Sequence, residues 1–192
     1  NNYYEAKEVF QKLYKMKHIL ILTAVFLYFG CNTVEKKEPI KTPNMEYGGF
    51  SGILDDSSKE SVMTRELMDK YIANNFKEIS YMVSENGDYY FNQAKGDKES
   101  WLSIAEAHHS LFENISNSKN NPPIVTTARY DNGSVWSMAW FYWSGKGRTT
   151  GKEVSIPVHH GFKFENDSIV EAYHFFDPTE LNIEIAAQEA SK

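Results

Sequence analysis

The first regular pattern in the chain is an apolar stripe at helical spacing. Met63, Leu67 and Tyr71 recur every four residues, which places them on one face of an α-helix. We therefore predict an amphipathic helix over 61–74 and a shorter helical stretch over 76–82. A helix with one apolar face has to bury that face, so the first segment is expected to pack against another element.

A second amphipathic helix is predicted after a break in the chain. Residues 85–88 read Glu-Asn-Gly-Asp, which is typical of a turn, and the aromatic content of 89–92 favours a short strand. The face of the second helix is formed by Trp101, Ile104, Ala105, His108, Leu111, Phe112 and Ile115. The polar, proline-containing stretch 117–123 ends it.

Beyond Pro123 the pattern changes to alternation of apolar and polar residues. We predict four strands, over 124–130, 134–144, 153–165 and 168–176, separated by short polar turns or loops. Helices followed by a run of antiparallel strands predict an α+β domain in which the sheet packs against its helices.

The start of the chain carries a different signal. Met16 and Lys17 are followed by an apolar run of 11 residues at 19–29, and Gly30 precedes Cys31. A basic start, a short apolar run and a small residue before the processing site are typical of a secretory signal peptide. The run is too short to remain as an anchor, because a spanning helix needs about 18 apolar residues or more.

Residues 28–31 resemble the bacterial lipobox, whose cysteine receives a thioether-linked diacylglycerol. The resemblance implies an exported lipoprotein at the bacterial cell envelope, in contact with the membrane only through the lipid on Cys31. The alternative is an inert cysteine in a buried core strand. We divide the chain into an upstream segment foreign to the exported protein (1–15), a signal peptide (16–30), the lipidated cysteine with a flexible tether (31–52) and one globular domain (53–192).

Length and charge narrow the functional classes. The chain has 192 residues, which suits one ordinary domain. Removing residues 1–30 takes away four lysines and two glutamates, leaving 16 basic and 24 acidic side chains and a net charge of −8. Nucleic acid is an unsuitable partner, because phosphate binding requires clustered basic residues. The sequence has no thiolate cluster, helical histidine pair or phosphate-binding loop, so neither a metal nor a cofactor is expected.

The C-terminal half carries a resemblance to a known family. Residues 150–154, 161–173 and 176–177 are similar to SnoaL-like proteins of the nuclear transport factor two-like superfamily. The order of helices and strands over 61–177 fits the same domain. The resemblance implies a cone-shaped, curved antiparallel sheet wrapped around N-terminal helices and one deep, mostly apolar cavity. Enzymes, binding modules and scaffolds all use this fold, so it does not decide the function.

The resemblance also implies candidate catalytic residues. In the family's polyketide cyclases, an aromatic residue and an acid–base aspartate four places on occupy positions that match Tyr173 and Asp177. A carboxyl group in an apolar cavity has a raised pKa, as acid–base catalysis near pH 7 requires. His108 and His160 lie on the apolar faces of their predicted elements and are candidate partners. The alternative for Asp177, which precedes Pro178, is a turn-capping residue.

Aromatic residues of the central strand are candidate ligand contacts. Trp136, Trp140 and Tyr142 share one face of 134–144, where they would hold a flat apolar or sugar-like molecule if that face lines a cavity. Their alternative role is to fill the core. The cyclases carry a histidine where this chain has 142–144, and this departure counts against cyclase chemistry.

The last strand supplies further candidates for the same pocket. Glu171 and Tyr173 share a strand face with Asp177, and His174 is a candidate ligand contact. His109 and His159 fall on the opposite faces of their elements and are expected to be solvated.

Three functions follow from these residues. The leading hypothesis is an envelope-anchored protein that binds a small apolar or aromatic molecule in its cavity. The first alternative is an isomerase, dehydratase or cyclase-like enzyme that uses Asp177 with His108 or His160. The second is a dimeric interaction module, because the resemblance to the superfamily implies a possible homodimer formed through the outer face of the sheet.

Overall fold

The computed structural model of the protein describes residues 45–192. The signal peptide, Cys31 and the first part of the tether lie outside the described residues, and what the sequence indicates for them stays a prediction. Within 45–192, no helix has the length and apolar character needed to cross a membrane.

Each of the first two helices begins at a side chain that caps it. The Ser58 hydroxyl oxygen accepts a hydrogen bond from the Ser61 amide at 3.2 Å, and Asp97 forms a reciprocal capping box with Ser100. The helices of the described region are α1 (Lys59–Ile72), a 3-10 helix (Phe76–Met82), α2 (Lys98–Leu111) and α3 (Thr179–Ala190).

Eight strands of the described region form one sheet. They are β1 (Gly52–Asp55), β2 (Val83–Phe91), β3 (Ala94–Gly96), β4 (Phe112–Asn117), β5 (Ile124–Tyr130), β6 (Val135–Gly147), β7 (Glu153–Glu165) and β8 (Ser168–Phe176). Their order across the sheet is β1-β5-β6-β7-β8-β2-β3, with β4 also paired to β6. The β2–β8 pair is parallel and the other pairs are antiparallel.

Strand β6 organises the sheet. Strand β7 pairs along its full length on one side. On the other side β5 pairs with the first part of β6, from Val135 to Trp140, and β4 pairs with the last part, from Trp143 to Gly147. The result is an open, curved sheet with α1 and α2 packed on one face, so the predicted α+β architecture is confirmed.

Buried hydroxyl pairs join α1 to the sheet. The Ser61 and Thr127 hydroxyl oxygens lie 2.8 Å apart, and the Thr64 hydroxyl donates to the Ser137 hydroxyl at 2.7 Å. All four side chains are fully buried. Buried hydroxyls are costly unless they are paired, so these two bonds define where α1 lies across β5 and β6.

A buried carboxylate holds the C-terminal helix in place. Glu184 of α3 is 1% exposed, and its oxygens accept hydrogen bonds from the Thr149 amide at 2.5 Å, the Thr150 amide at 3.2 Å and the Thr150 hydroxyl at 2.6 Å. Burial acts to raise the pKa of Glu184, but the hydrogen bonds from Thr150 and Thr149 lower it below its ordinary value. The charged carboxylate therefore ties α3 to the β6–β7 loop.

The main elements agree with the pattern of the sequence. Helix α1, the 3-10 helix and the four long strands β5 to β8 lie within three residues of their predicted bounds. The sequence did not predict β1, β3, β4 or α3.

The second helix ends earlier than predicted. Helix α2 stops at Leu111, and Phe112 and Ile115 belong to β4 instead of to its apolar face. Asn114 has a φ of 56°, and the pairing of β4 with β6 shifts register between Glu113 and Ser116. This bulge lets two residues three apart both be buried, which imitates helical spacing in the sequence.

Two predicted irregular segments belong to the sheet. Residues 85–88 form the irregular part of β2, where its register with β8 shifts between Val83 and Asp88. The Gly49 carbonyl accepts a hydrogen bond from the Asn132 amide at 3.0 Å, and β1 begins at Gly52. The end of the predicted tether is therefore held at the sheet edge.

Candidate functional site

An apolar cavity lies between the helices and the inner face of the sheet. The volume of the cavity that is available to water is about 90 Å³. One water needs about 10–15 Å³ measured in this way, so the cavity has room for a small organic molecule. Its walls include Leu67, Met68, Trp101, Ala105, His108, Phe141, Trp143, Val154, Ile156, Val158, His160, His174, Phe176 and Leu181.

Strand alternation decides which side chains reach the cavity. On β7, Val154, Ile156, Val158 and His160 all line it, as the two-residue period requires. On β6 the lining residues are Phe141 and Trp143. The sequence placed His160 among these apolar residues correctly.

A chain of three hydrogen-bonding side chains crosses one wall of the cavity. The Trp143 indole N–H donates to the Tyr71 hydroxyl at 3.0 Å, and that hydroxyl lies 3.0 Å from Nδ1 of His108. Burial raises the pKa of Tyr71, so the phenol stays protonated. The chain joins α1, α2 and β6, and it orients the His108 ring towards the cavity.

A second polar cluster lies on β7 and β8. The Trp101 indole N–H donates to Nε2 of His174 at 2.6 Å, and Phe91 stacks on the His174 ring with centroids 4.7 Å apart. The His160 ring packs edge-on against His174 at 4.2 Å. His108, His160 and His174 therefore all line one cavity, as the sequence predicted for them.

Two imidazole nitrogens in this cavity have no hydrogen-bond partner among residues 45–192. They are Nε2 of His108 and Nδ1 of His160, and both atoms are buried. Buried polar atoms without a partner are uncommon in folded proteins. These two therefore mark where the cavity can bind a polar group.

Burial keeps these histidines neutral. It lowers the pKa of His108 to about 4, that of His160 to about 3, and that of His174 well below its ordinary value. Neighbouring imidazoles add to each shift. A base with so low a pKa is a weak proton acceptor near pH 7, so the rings are suited to hydrogen bonding more than to proton transfer.

The predicted placement of Asp177 in the cavity is wrong. Asp177 is exposed, and its carboxylate accepts hydrogen bonds from the Thr179 amide at 2.9 Å and the Thr179 hydroxyl at 2.6 Å. These bonds lower the pKa of Asp177, the opposite of what an acid–base group at pH 7 requires. The residue caps the turn that leads into α3, which was the alternative interpretation.

Glu171 and Tyr173 also lie outside the cavity. The Tyr173 hydroxyl donates to the Glu171 carboxylate at 2.6 Å on the outer face of the sheet. The cause is a change of phase in β8: Ile169 and Ala172 are both fully buried although they are three residues apart. After that irregularity His174 and Phe176 point inward, so strict alternation from Ile169 assigned the wrong face.

The aromatic residues predicted as ligand contacts on β6 face away from the cavity. Trp136 stacks on Tyr173 at 6.0 Å, and Trp140 stacks on His159 at 4.7 Å. Trp140 and Tyr142 are 43% and 45% exposed. We call Trp136, Trp140, Tyr142, His159, Tyr173 and Phe175 the outer aromatic face. Phe141 and Trp143, on the other face of β6, line the cavity, so the prediction chose the wrong side of the strand.

The two histidines expected in solvent are each partly buried. His159 lies on the outer aromatic face, with Nδ1 3.2 Å from the Ala139 carbonyl oxygen. His109 donates from Nε2 to the Tyr71 carbonyl at 2.6 Å. Neither lines the cavity, so the sequence separated them correctly from His108 and His160.

Sequence reasoning missed the partners of the cavity histidines. Tyr71 and Trp101 were recognised only as parts of apolar helix faces, and Trp143 was not among the candidate ligand contacts. A tyrosine or tryptophan on a buried face carries a polar atom that needs a partner. That requirement was the available signal, and it pointed to the inward histidines.

The cavity holds no cluster that suits a metal ion. Among residues 45–192, no group of three or more histidine, cysteine, aspartate or glutamate side chains is arranged to bind one. The His174 and His108 imidazoles already form hydrogen bonds with Trp101 and Tyr71, respectively. The arrangement offers hydrogen bonds within an apolar wall.

The architecture is shared with solved structures of very different sequence. A candidate isomerase from Bacillus subtilis is 15% identical, with a TM-score of 0.55 over 69% of this chain and 96% of that one. A candidate SnoaL-like polyketide cyclase from Jannaschia sp. CCS1 is 14% identical, with a TM-score of 0.53 over 69% and 98%. An NTF2-like protein from Burkholderia xenovorans LB400 is 11% identical, with a TM-score of 0.53 over 68% and 98%.

The chain has the NTF2-like fold. No family model and no curated protein matches its sequence. At identities this low the NTF2-like neighbours establish the architecture alone. It agrees with the cone-shaped sheet that the resemblance implied.

The histidines that line the cavity make the stability of this NTF2-like domain sensitive to acid. Above pH 6.5 His108 and His160 are neutral in both the folded and the unfolded chain. As the pH falls below 6.5, the unfolded chain binds protons at these rings that the folded chain excludes. The free energy of unfolding therefore decreases until the pH reaches the folded-state pKa values of about 4 for His108 and about 3 for His160. By pH 5 the free energy of unfolding should fall by about 2 kcal/mol for each of these residues. Urea unfolding at pH 7, 6 and 5 measures it.

The substitution His160→Phe should make the decrease at pH 5 smaller by about 2 kcal/mol, since one titrating ring is lost. Ile183→Phe, which introduces the same ring at an exposed position of α3 without removing an ionisable group, is the matched control and should leave the slope unchanged. An unaltered pH dependence in His160→Phe would mean that the ring is not held neutral by burial.

Proposed function

We propose that this domain binds one small, predominantly apolar molecule in the cavity between α1, α2 and the sheet. The observation that carries the proposal is an apolar cavity that contains two unpartnered imidazole nitrogens. Binding sites for small molecules are mostly apolar, with a few placed polar groups that orient the ligand. This cavity has that composition.

The arrangement favours binding over acid–base catalysis. Asp177 caps a turn outside the cavity, and the cavity histidines are neutral with low pKa values. The carboxylate that does border the cavity belongs to Glu180, which is paired with Lys152 at 2.6 Å. The neighbours named as candidate cyclase and isomerase support an enzyme only weakly, because a shared fold hosts many functions.

Cavity binding is tested by two substitutions at adjacent positions of β7. Val158→Phe places a ring in the cavity and should weaken binding of one- and two-ring hydrocarbons such as toluene, indane and naphthalene at least about tenfold. His159→Phe introduces the same side chain on the outer aromatic face and should leave binding unchanged. Thermal unfolding with and without ligand measures both, since occupancy at 100 times Kd adds about 2.7 kcal/mol to wild-type stability.

Absence of stabilisation of the wild-type domain by every hydrocarbon in the panel would contradict the proposal. Equal loss of binding in both variants would show that the cavity is not the binding site.

We propose further that the domain is exported and held at the bacterial cell envelope by lipid on Cys31. The support is the signal-peptide pattern of 16–30 and the lipobox-like residues 28–31. Lipid attachment through more than one acyl chain gives stable anchoring, because each buried CH₂ contributes about 0.8 kcal/mol.

Lipidation is tested in a bacterial host that expresses the full chain in the presence of an alkyne-tagged fatty acid. The wild-type protein should incorporate the label and partition into the detergent phase of Triton X-114. Cys31→Ser should lose both properties, since it lacks the acceptor thiol. A wild-type protein that carries no label and stays in the aqueous phase would refute the anchor.

A homodimer is a second proposal, favoured by the outer aromatic face. Trp140 and Tyr142 on β6 are 43% and 45% exposed, and Phe175 on β8, across the intervening β7, is 48% exposed. A face of this kind can pair with the same face of a second copy about a two-fold axis. Aromatic residues are enriched at such interfaces.

Sedimentation equilibrium tests the homodimer. The wild-type domain should dimerise at micromolar concentration, and Trp140→Lys should shift it towards monomer by placing a charge on the face. Ile183→Lys, at another exposed apolar residue on α3, is the matched control and should not change the equilibrium. A wild-type domain that remains monomeric at 100 times that concentration would rule the homodimer out.

A further inference from the structure

The hydrogen bonds around Tyr71 determine which nitrogen of His108 carries its proton. An indole N–H can only donate, so the Tyr71 oxygen accepts from Trp143. Within residues 45–192 the other hydrogen-bond partner of the Tyr71 hydroxyl is Nδ1 of His108, so the hydroxyl proton is satisfied when it is donated to that nitrogen. A neutral imidazole that accepts at Nδ1 carries its proton on Nε2. The unpartnered atom of His108 is therefore an N–H donor.

The remaining polar atoms of the cavity do not satisfy this donor. Nε2 of His174 already accepts from Trp101 at 2.6 Å. The Glu180 carboxylate is bonded to Lys152, and neither its oxygens nor Nδ1 of His160 is hydrogen-bonded to His108. The His108 N–H therefore stands ready to donate to a group on a ligand.

The charge of the cavity restricts what that group can be. Among residues 45–192, its lining contains neutral histidines and the Glu180 carboxylate, and no lysine or arginine. An anionic oxygen buried there would lack a counter-charge, and burying an unpaired charge is far more costly than burying a neutral acceptor. The complementary group is an uncharged acceptor. A carbonyl oxygen is such a group and, unlike a hydroxyl, brings no proton that would need an acceptor of its own.

We propose that the ligand carries a neutral carbonyl oxygen at one end of an apolar body, and that this oxygen accepts a hydrogen bond from Nε2 of His108. This inference rests on the proposed binding function and names the chemical class of the ligand. The apolar body lies against Val158, Phe141 and Leu67, and the free Nδ1 of His160 provides a second polar contact in the same cavity.

Acetophenone and α-methylstyrene are suitable probes, because they have nearly the same shape and differ in a carbonyl oxygen against a CH₂ group. Titration followed by the fluorescence of the cavity residues Trp101 and Trp143 yields Kd for each. The quantity to compare is the Kd of the alkene divided by the Kd of the ketone. Taking this ratio in each variant cancels the different hydration of the two probes.

The ratio should fall at least about tenfold in His108→Phe, because the ketone loses its donor while the alkene loses none. His108→Leu should behave in the same way and serves if the first variant does not fold. His159→Phe, which introduces the same ring on the outer aromatic face, should leave the ratio within about twofold of wild type.

The two proposals fail in different ways. If both probes bind but the ratio is unchanged in the His108 variants, the carbonyl inference is overturned while cavity binding stands. If neither the probes nor the hydrocarbon panel binds to the wild-type domain, cavity binding is refuted and the carbonyl inference falls with it.

Discussion

Burial of three imidazole rings without a counter-charge is the constraint on which the rest of the site depends. His108, His160 and His174 line an apolar cavity, and burial lowers the pKa of each. A neutral imidazole is at once a donor and an acceptor, so each ring has one nitrogen of each kind to satisfy. Tyr71 and Trp101 satisfy one nitrogen on two of the rings. The nitrogens left over give the cavity its polarity without giving it charge.

The scaffold holds these rings from three directions. Paired hydroxyls place α1, and with it Tyr71, across β5 and β6. The Asp97 capping box begins α2, which carries Trp101 and His108. The hydrogen bonds from residues 149–150 to the Glu184 carboxylate hold α3, whose Leu181 borders the cavity. Each contact is a hydrogen bond at an element end or a buried face, where an unpaired polar atom would be costly.

The sequence was informative wherever one period persisted along an element. Strands β6 and β7 keep a two-residue alternation, and for that reason His160 was assigned to the inner face correctly. The prediction failed where a bulge changed the phase, as between Ile169 and Ala172 in β8, which turned Tyr173 outward and His174 inward. Asn114 had the same effect in β4. Bulges depend on pairing with a neighbouring strand, so a single strand's sequence does not reveal them.

The sequence alone also could not show which side of β6 faces the cavity. Both faces of this strand carry aromatic residues, Trp140 and Tyr142 on one and Phe141 and Trp143 on the other, so hydrophobicity alone does not distinguish them. The packing of Met68 from α1 against Phe141 decides the side, and this contact is made between distant parts of the chain. The prediction for Asp177 was wrong for a different reason. Its carboxylate accepts hydrogen bonds from Thr179, just beyond the end of the strand, and the alternation of residues along the strand does not reveal such a local partner.

The central claim is that the cavity imidazoles are neutral and that His108 carries its proton on Nε2. A long-range ¹H–¹⁵N correlation spectrum of the histidine side chains, recorded from pH 7.5 to pH 5, measures both properties directly. The account predicts that His108, His160 and His174 keep neutral-ring nitrogen shifts throughout. Of the two ring nitrogens of His108, Nε2 should show the shift of a protonated nitrogen and Nδ1 the shift of an unprotonated one. A cavity histidine that titrates near pH 6.5, or a proton on Nδ1 of His108, would contradict it.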